Sequence, residues 1–435
     1  MMQISNPRIC IIGAGLAGLT SAKSLQGEGL NFTILEATEY FGGTWRYEPR
    51  VGNYDNGLPI FSSMYKHLRT NLPKPTMELK GFPIPEDMPS YPTWEMYYEY
   101  LKNYVKHFDL ERYIKYQHHV IGISRAGNAW KVKHKYLPSG EVYVDEFDYV
   151  IIGTGHFSVP KRPNIKGEEL FKGTIIHSHN YREPEPYRGR NVMIVGAGPS
   201  GVDITLDVAT VAKTVYHSHH SKINFSKTKF PKNYIVKPDI KEFNETGASF
   251  VNGTYENVDD VIYCTGYLFN YSFCDNSTGL TLRPKTVTPL HKFIVNINQP
   301  TMLFVGLIEK ACLVTALDAQ SRYVAALIKG KFALPSRDEM MKEWQMAVDK
   351  CVEKGRSLDN LHFLAESEDE YYEELTKESG IERVPPVLSK IRSADMLSKE
   401  NLYTYRNYSY KVIDNNTFER TLEVDTDSNN IEQTM

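Results

Sequence analysis

A unit of strand, glycine turn, helix and strand at residues 8–36 constrains the fold more than any other stretch of this chain. An apolar run leads into glycines spaced as G-x-G-x-x-G, and a second apolar run ends in an acid 21 positions after the middle glycine. The glycines allow a tight turn, close approach of a pyrophosphate and close packing of helix on strand, while the acid binds a ribose diol. The phosphates would lie at the helix N-terminus, where unpaired N–H groups favour anions. The residues predicted to hold a dinucleotide here are Gly13, Ala14, Gly15, Gly18 and Glu36.

The same pattern begins again at residue 190, with an apolar run and a second G-x-G-x-x-G turn. The position that corresponds to Glu36 is now His219, within a short run of serines, histidines and a lysine. Hydroxyl groups and potential cations in place of a carboxylate suit a ribose 2′-phosphate, so this unit is predicted to prefer NADPH over NADH. The alternative is a polar loop whose histidines have no role in binding. The residues predicted to contact this nucleotide are Gly196, Gly198, Gly201, Ser218, His219, His220 and Lys222.

Two nucleotide-binding units on one chain predict an α/β fold with two Rossmann-like domains. The first unit opens the chain and is followed by a long, proline-rich excursion at residues 59–93 that is suited to cover a ligand, so it is assigned FAD. The predicted NADPH domain, residues 176–284, is inserted into an FAD domain formed by residues 1–175 and 285–435. Hydride transfer between the two cofactors would make the protein a flavin-dependent oxidoreductase.

Composition excludes several other classes of function. A net charge of −3 over 435 residues gives no electrostatic reason to expect binding to nucleic acid or to an anionic membrane. The five cysteines include no C-x-x-C pair, so neither a zinc ribbon nor dithiol redox chemistry is expected, and no metal site is predicted. No apolar run approaches 18 residues, and the first strand begins too early to leave room for a signal peptide. A cytoplasmic protein without a membrane anchor is expected; a secreted one, as in haemolymph, would require removal of a signal peptide, and a homo-oligomer is left open.

Periodicity adds four expectations about the remaining elements. A helix is predicted at residues 94–108, a β-hairpin at residues 130–145 and a long helix at residues 311–329. The acidic stretch at residues 366–378 is interpreted as part of a solvated cap.

Five motifs carry a resemblance to one family. Residues 171–181 fit the pattern F-x-G-x-x-x-H-x-x-x-[FY], and residues 65–71 fit Y-x-x-L-x-T-N. A proline-rich loop at residues 82–91, the sequence CTGY at residues 264–267 and DAQSR at residues 318–322 fit three further motifs. With these motifs the chain resembles the flavin-containing monooxygenases, and among them the short, soluble insect forms that N-oxygenate pyrrolizidine alkaloids.

The resemblance implies a reaction and a set of site residues. NADPH would reduce FAD, O2 would add at the flavin C4a to give a hydroperoxide, and a soft nucleophile such as a tertiary amine or a thioether would take its distal oxygen. Asn71 would be the catalytic residue and also a cofactor contact, because its amide can donate toward the peroxide and accept from the nicotinamide nucleotide. Without the resemblance, an asparagine in a proline-rich loop is usually a turn residue. The resemblance also implies flavin contacts at Thr44, Trp45, Leu72, Val120 and Gln320, and nucleotide contacts at Thr70, Ser200 and Gly201.

Three alternatives share the two nucleotide folds. A Baeyer–Villiger monooxygenase, which oxygenates ketones, has Trp at the end of the fingerprint where this chain has Tyr181. A disulfide reductase requires a redox dithiol, and no C-x-x-C is present. A non-catalytic flavoprotein would bind FAD without oxidising NADPH.

Overall fold

Seven α-helices and ten short 3-10 turns occur in the part of the chain that the computed structural model describes, residues 6–221, 225 and 227–423. Polar caps start several helices: Thr93 accepts a hydrogen bond from the backbone of Met96, and Ser336 forms a capping box with Glu339. The helices are α1 Leu16–Gly27, α2 Trp94–His107, α3 Pro199–Ala209, α4 Leu313–Lys329, α5 Arg337–Glu353, α6 Glu368–Ser379 and α7 Pro386–Ser398.

The strands are short, and most are apolar runs of β-branched and aromatic residues. In chain order they are β1 Ile9–Ile12, β2 Phe32–Leu35, β3 Ile114–Lys115, β4 His118–Ala126, β5 Ala129–Tyr136, β6 Val142–Phe147, β7 Tyr149–Ile152, β8 Val159–Pro160, β9 Thr174–His177, β10 Asn191–Val195, β11 Thr214–Ser218, β12 Tyr234–Lys237, β13 Ile240–Phe243, β14 Gly247–Phe250, β15 Tyr255–Asn257, β16 Asp260–Tyr263, β17 Tyr267–Leu268, β18 Thr281–Arg283, β19 Thr286–Thr288, β20 Leu290–His291, β21 Val295–Asn296, β22 Met302–Phe304, β23 Tyr408–Val412 and β24 Phe418–Leu422.

The first sheet has the strand order β20-β21-β22-β7-β1-β2-β3, and its central strands are parallel. Strands β1 and β7 are buried along their whole length, as expected for parallel strands that are covered on both faces. Helix α4 packs on α1, where the hydroxyl groups of Ser21 and Ser321 lie 3.2 Å apart. The residues up to the end of β7 and those from β20 onward therefore build one Rossmann-like unit from two separate parts of the sequence.

The second sheet is all parallel, in the order β12-β11-β10-β16-β9, and its strands lie between β7 and β20 in sequence. This confirms the predicted α/β fold with one Rossmann-like domain inserted into another. The two connections between the units run side by side, because β8 pairs antiparallel with β17. Strand β9 crosses the predicted boundary at residues 175 and 176, and the domain limits stay predictions.

The other elements agree with the periodicity except at the acidic stretch. The predicted helices correspond to α2 and α4, and the predicted hairpin is the β5–β6 pair of a three-stranded sheet with β4. The interpretation of residues 366–378 as a solvated cap was wrong. Tyr371, Tyr372 and Leu375 of α6 are buried in the core that also contains α4. The acidic residues are not all solvated either, since Glu368 is buried and accepts from the Cys312 N–H directly before α4. Within the described residues, no helix combines the length and apolar character needed to cross a membrane.

Candidate active site

The first glycine turn has the strained geometry that its sequence requires. Gly13 has a φ of +97°, and a Cβ added at Gly18 would lie 1.9 Å from the Gly13 carbonyl oxygen. The Ala14 N–H donates to Glu36 Oε2 at 2.7 Å, and the backbone and hydroxyl of Thr38 donate to Oε1. Burial raises the pKa of Glu36 although these donors oppose it. A fixed carboxylate therefore lies directly beside the turn.

A second glycine pair supports the first turn from the other side. The Gly42 N–H donates to the Ala14 carbonyl at 2.8 Å, and Gly42 and Gly43 both have positive φ. A Cβ on Gly43 would lie 3.0 Å from the Gly15 Cα, so the two loops approach each other through backbone alone. This leaves a cradle at the N-terminus of α1, where no side chain caps the helix.

The residues predicted to contact the flavin differ in how exposed their side chains are. Trp45 is half-buried with its ring 4.3 Å from that of Tyr97, and Thr44 beside it is exposed. Leu72 is half-buried against the core of the first unit, and Val120 is buried near the start of β4, the strand whose first N–H donates to the Glu36 carbonyl.

Gln320 lies fully buried on α4. Its Oε1 accepts from the Gly306 N–H at 2.9 Å, and its Nε2 donates to the Tyr371 hydroxyl at 2.7 Å. Both ends of this amide are thus bound within the protein, and its predicted flavin contact stays a prediction.

The second glycine turn repeats the first and leaves its middle open. Gly196 has a φ of +100°, and a Cβ on Gly201 would lie 2.0 Å from the Gly196 carbonyl oxygen. A Cβ on Gly198 would meet no atom within 4 Å. Helix α3 begins directly after this glycine, and Ser200 in its first turn is half-buried. An open turn at an uncapped helix N-terminus fits a pyrophosphate.

The described residues among those predicted to bind a 2′-phosphate differ in burial and in hydrogen-bond partners. The Ser218 hydroxyl is buried and donates to the Pro238 carbonyl at 2.8 Å. His219 is half-buried with an unpartnered Nδ1, and burial lowers its pKa. His220 is exposed, with its Nδ1 3.1 Å from the Asp239 carboxylate. Lys222 lies outside the described residues, so recognition of the 2′-phosphate stays a prediction.

The loop before Asn71 lies along α3 of the inserted unit. The Tyr65 hydroxyl donates to Asp203, and His67 Nδ1 lies 2.9 Å from Asp207 Oδ1, one helical turn further along. The Tyr181 hydroxyl, at the end of the fingerprint motif, donates to the other oxygen of Asp207 at 2.6 Å. The loop that contains Thr70 and Asn71, residues 65–72, which we name the reactive loop, is therefore attached to α3, the helix that starts at the second glycine turn.

Thr70 and Asn71 differ in exposure. Thr70 is 2% exposed, and its buried Oγ1 has no hydrogen-bond partner among the described residues, a bond that a nucleotide hydroxyl or amide would supply. Asn71 is exposed. The carbonyl of Asn71 accepts from Lys399 Nζ at 2.6 Å, and that of Thr70 accepts from Arg406 Nε at 3.2 Å. Sequence reasoning missed both cations, because more than 300 residues separate them from the loop and no local pattern marks them.

A buried arginine that the sequence did not indicate fixes the segment after the fingerprint. Within the described part of the chain, no carboxylate pairs with Arg182. Its guanidinium instead donates to five backbone carbonyls, those of Glu48, Arg50, Ser62, His179 and Tyr181. His177 accepts from the His179 N–H, and burial lowers the pKa of His177 to about 4. His177 is therefore neutral near pH 7.

Comparison with known proteins agrees with this geometry. The family model described as flavin-binding monooxygenase-like matches residues 6–226 and 228–390. The chain is 40% identical to senecionine N-oxygenase of Tyria jacobaeae over an alignment of 421 residues, which covers 96% of this chain and 92% of that protein.

Two solved structures share the whole fold. S-allyl-L-cysteine S-oxygenase from Allium sativum superposes with a TM-score of 0.85 at 31% identity, covering 93% of this chain and 96% of that one. Tmm from Pelagibacter sp. strain HTCC7211 gives a TM-score of 0.85 at 28% identity, with 94% and 95% covered. Two glycine cradles, a buried carboxylate beside the first and an unpartnered hydroxyl at Thr70 suit two dinucleotides. The chain belongs to the flavin-binding monooxygenase family and is an NADPH-dependent monooxygenase that uses FAD.

Proposed function

We propose that this enzyme uses NADPH and O2 to oxygenate soft nucleophiles, namely tertiary amines such as pyrrolizidine alkaloids, and thioethers. One relative named above is an N-oxygenase and one structural neighbour is an S-oxygenase. The observation that carries the proposal is the placement of Thr70 and Asn71. Their loop is attached to α3 of the NADPH-binding unit, and the next residue, Leu72, packs on the core of the FAD-binding unit.

The two glycine turns would hold the two cofactors. In the first, the turn at Gly13 and Gly15 would receive the FAD pyrophosphate, while Gly18 lets α1 pack close to the turn, and Glu36 would bind the adenosine ribose. In the second, the open space over Gly198 receives the NADPH pyrophosphate at the start of α3. Bound at the first turn, FAD would supply the redox chemistry that activates O2 for transfer to the substrate.

The protein's own contribution is orientation and exclusion of water. Asn71 offers one donor and one acceptor on a short side chain, so it can donate toward the transferred oxygen while it accepts from the nicotinamide nucleotide. The Thr70 hydroxyl would complete its missing hydrogen bond with the same nucleotide. Transfer of the oxygen to the substrate needs no protein nucleophile.

Product analysis tests the proposal. The enzyme loaded with FAD is supplied with NADPH, O2 and, in separate reactions, a pyrrolizidine alkaloid, a thioether and a cyclic ketone. We expect an N-oxide and a sulfoxide by mass spectrometry, with one O2 consumed per NADPH. A lactone from the ketone, with no oxidised amine or thioether, would instead identify a Baeyer–Villiger monooxygenase. FAD that NADPH never reduces would indicate a non-catalytic flavoprotein.

A further inference from the structure

Two cations near the C-terminal end of the described chain hold two consecutive carbonyls of the reactive loop. Lys399 Nζ donates to the Asn71 carbonyl at 2.6 Å, and Arg406 Nε donates to the Thr70 carbonyl at 3.2 Å. Hydrogen bonds from charged donors are about twice as strong as neutral ones. The two carbonyl groups on either side of the Asn71 Cα, those of Thr70 and Asn71, are therefore both held by a cation.

Lys399 is built into the structure rather than placed on its surface. Its side chain is 19% exposed, and its Nζ also lies 2.7 Å from Asp395 Oδ2, a carboxylate that is 0% exposed. The second oxygen of Asp395 accepts from the Tyr91 hydroxyl at 2.5 Å. A partly buried ammonium is costly unless it is paired, and here the pairing carboxylate is fixed in turn by a buried tyrosine.

Arg406 connects the loop to the NADPH-binding unit. Its Nη2 donates to Asp203 Oδ1 at 3.0 Å, while the other oxygen of Asp203 accepts from Tyr65. Asp203 lies on α3, two residues after Gly201 of the second glycine turn. One guanidinium thus spans from the carbonyl beside Asn71 to the first turns of the helix that would hold the NADPH phosphates.

The same segment touches the inserted unit a second time. The Thr228 hydroxyl donates to the Glu400 carbonyl at 3.0 Å, and the Leu402 N–H donates to that hydroxyl at 3.0 Å. Lys227 pairs with the Glu400 carboxylate at 2.7 Å. Residues 395–406, which we name the C-terminal clamp, therefore contact the reactive loop and the NADPH-binding unit together.

We propose that the C-terminal clamp positions Asn71 for oxygen transfer and ties that position to the NADPH-binding unit through Arg406 and Asp203. Lys399 and Arg406 are positioning residues that act through the Thr70–Asn71 peptide. The proposal rests on the role of Asn71 in the proposed function. If either cation is lost, the reactive loop should become more mobile, and NADPH should be oxidised without a matching amount of oxygenated product.

Lys399→Met tests the first part, with Lys390→Met as its matched control. Lys390 lies on α7, the helix that ends directly before Lys399, and also donates to a backbone carbonyl, but to that of Asn416 at 2.9 Å rather than to the reactive loop. In the FAD-loaded Lys399→Met enzyme we expect faster hydrogen exchange at residues 66–76 and about tenfold less oxygenated thioether per NADPH oxidised. Lys399→Arg, which keeps a charged donor, should restore most of the product yield.

Arg406→Lys tests the link to the NADPH-binding unit and does not depend on turnover. A lysine ammonium cannot span both the Thr70 carbonyl and Asp203 as the guanidinium fork does. We expect the Kd for NADP⁺, measured by quenching of protein fluorescence, to rise about tenfold. Exchange at residues 66–76 should also increase, while the FAD content stays that of the wild type.

The outcomes separate this proposal from the proposed function. The clamp would be overturned if hydrogen exchange and product yield were the same in Lys399→Met as in Lys390→Met. An unchanged Kd for NADP⁺ in Arg406→Lys would also overturn it. If the wild type oxygenates neither amine nor thioether but the variants still raise exchange at residues 66–76, the proposed substrate class fails while the clamp stands. If Lys399→Met does not fold, two measurements on Arg406→Lys decide: the Kd for NADP⁺ and hydrogen exchange at residues 66–76.

Discussion

Asn71 is exposed on a loop whose backbone is held by its neighbours, so its side chain can be changed with little effect on folding. Asn71→Asp replaces the amide donor by a carboxylate, which can only accept when ionised. We expect product formation to fall about 100-fold, because removing one transition-state donor has that effect in other enzymes. FAD should remain bound, and NADPH oxidation should release H2O2 instead.

The measurement is oxygenated product per NADPH oxidised, with Asn128→Asp as the control. Asn128 lies exposed in the turn between β4 and β5, where aspartate is equally suited to a turn. Full product formation by Asn71→Asp would remove Asn71 from the mechanism.

Arg182 makes a different prediction, one about stability. Its five acceptors are backbone carbonyls from three segments, and removing the guanidinium leaves several of them buried without a donor. We expect Arg182→Met to lower the free energy of unfolding by about 3 kcal/mol, since each hydrogen bond to a charged group contributes about 1.5–3 kcal/mol. Urea unfolding measures this. Arg188→Met, which removes an exposed pair with Glu185, should leave the midpoint nearly unchanged.

At the scale of elements, the two Rossmann-like units show why some glycines are replaceable and others are not. Gly201 must lie against the Gly196 carbonyl for α3 to pack on its strand, whereas Gly198 faces open space with a φ of −71°. We expect Gly201→Ala to displace α3 and abolish NADPH binding together with a loss of thermal stability. Gly198→Ala should keep the melting temperature but weaken NADPH binding, because its methyl group would occupy the space predicted for the phosphates. Calorimetric titration and thermal unfolding of both variants measure the difference, and equal melting temperatures would contradict it.

Sequence patterns predicted these units because each glycine, apolar run and acid acts on neighbours within about 30 residues. The pattern also located the Thr70–Asn71 loop, once the motifs placed the chain in its family. It could not predict the roles of Lys399, Arg406 or Arg182, because the backbone carbonyls that these residues hold carry no residue-specific signature. The buried face of α6 was missed for a related reason: seven acidic residues in a short stretch concealed Tyr371 and Tyr372, which pack inward on a helix of mostly charged residues.

For the whole molecule, buried histidines set the response of stability to acid. Burial lowers the pKa of His156, His177 and His217 to about 4, and that of His362 to about 3. These rings are neutral in the folded state, whereas the unfolded chain protonates them near pH 6.5. The unfolded state thus binds more protons between pH 6.5 and 4, so stability is full above that window and falls as the pH drops through it.

Each such histidine contributes a slope of up to about 1.4 kcal/mol per pH unit within that window. We expect the free energy of unfolding, measured by urea titration between pH 7 and 4.5, to fall steeply. His177→Asn should reduce this slope by the contribution of about one proton, up to about 1.4 kcal/mol per pH unit. His107→Asn, at an exposed position, is the control and should leave it unchanged. A slope that does not respond to His177→Asn would contradict the neutral, buried state of this ring.

The paired connections between the two units have an evolutionary consequence. Where β8 meets β17, the Lys161 N–H donates to the Gly266 carbonyl at 2.9 Å, so the chain leaves the FAD-binding unit and returns to it at almost the same point. An insertion whose ends adjoin can be exchanged as a cassette without stretching its host. A graft of residues 162–265 from a family member with another coenzyme preference should therefore fold on this scaffold, which makes coenzyme choice a transferable property.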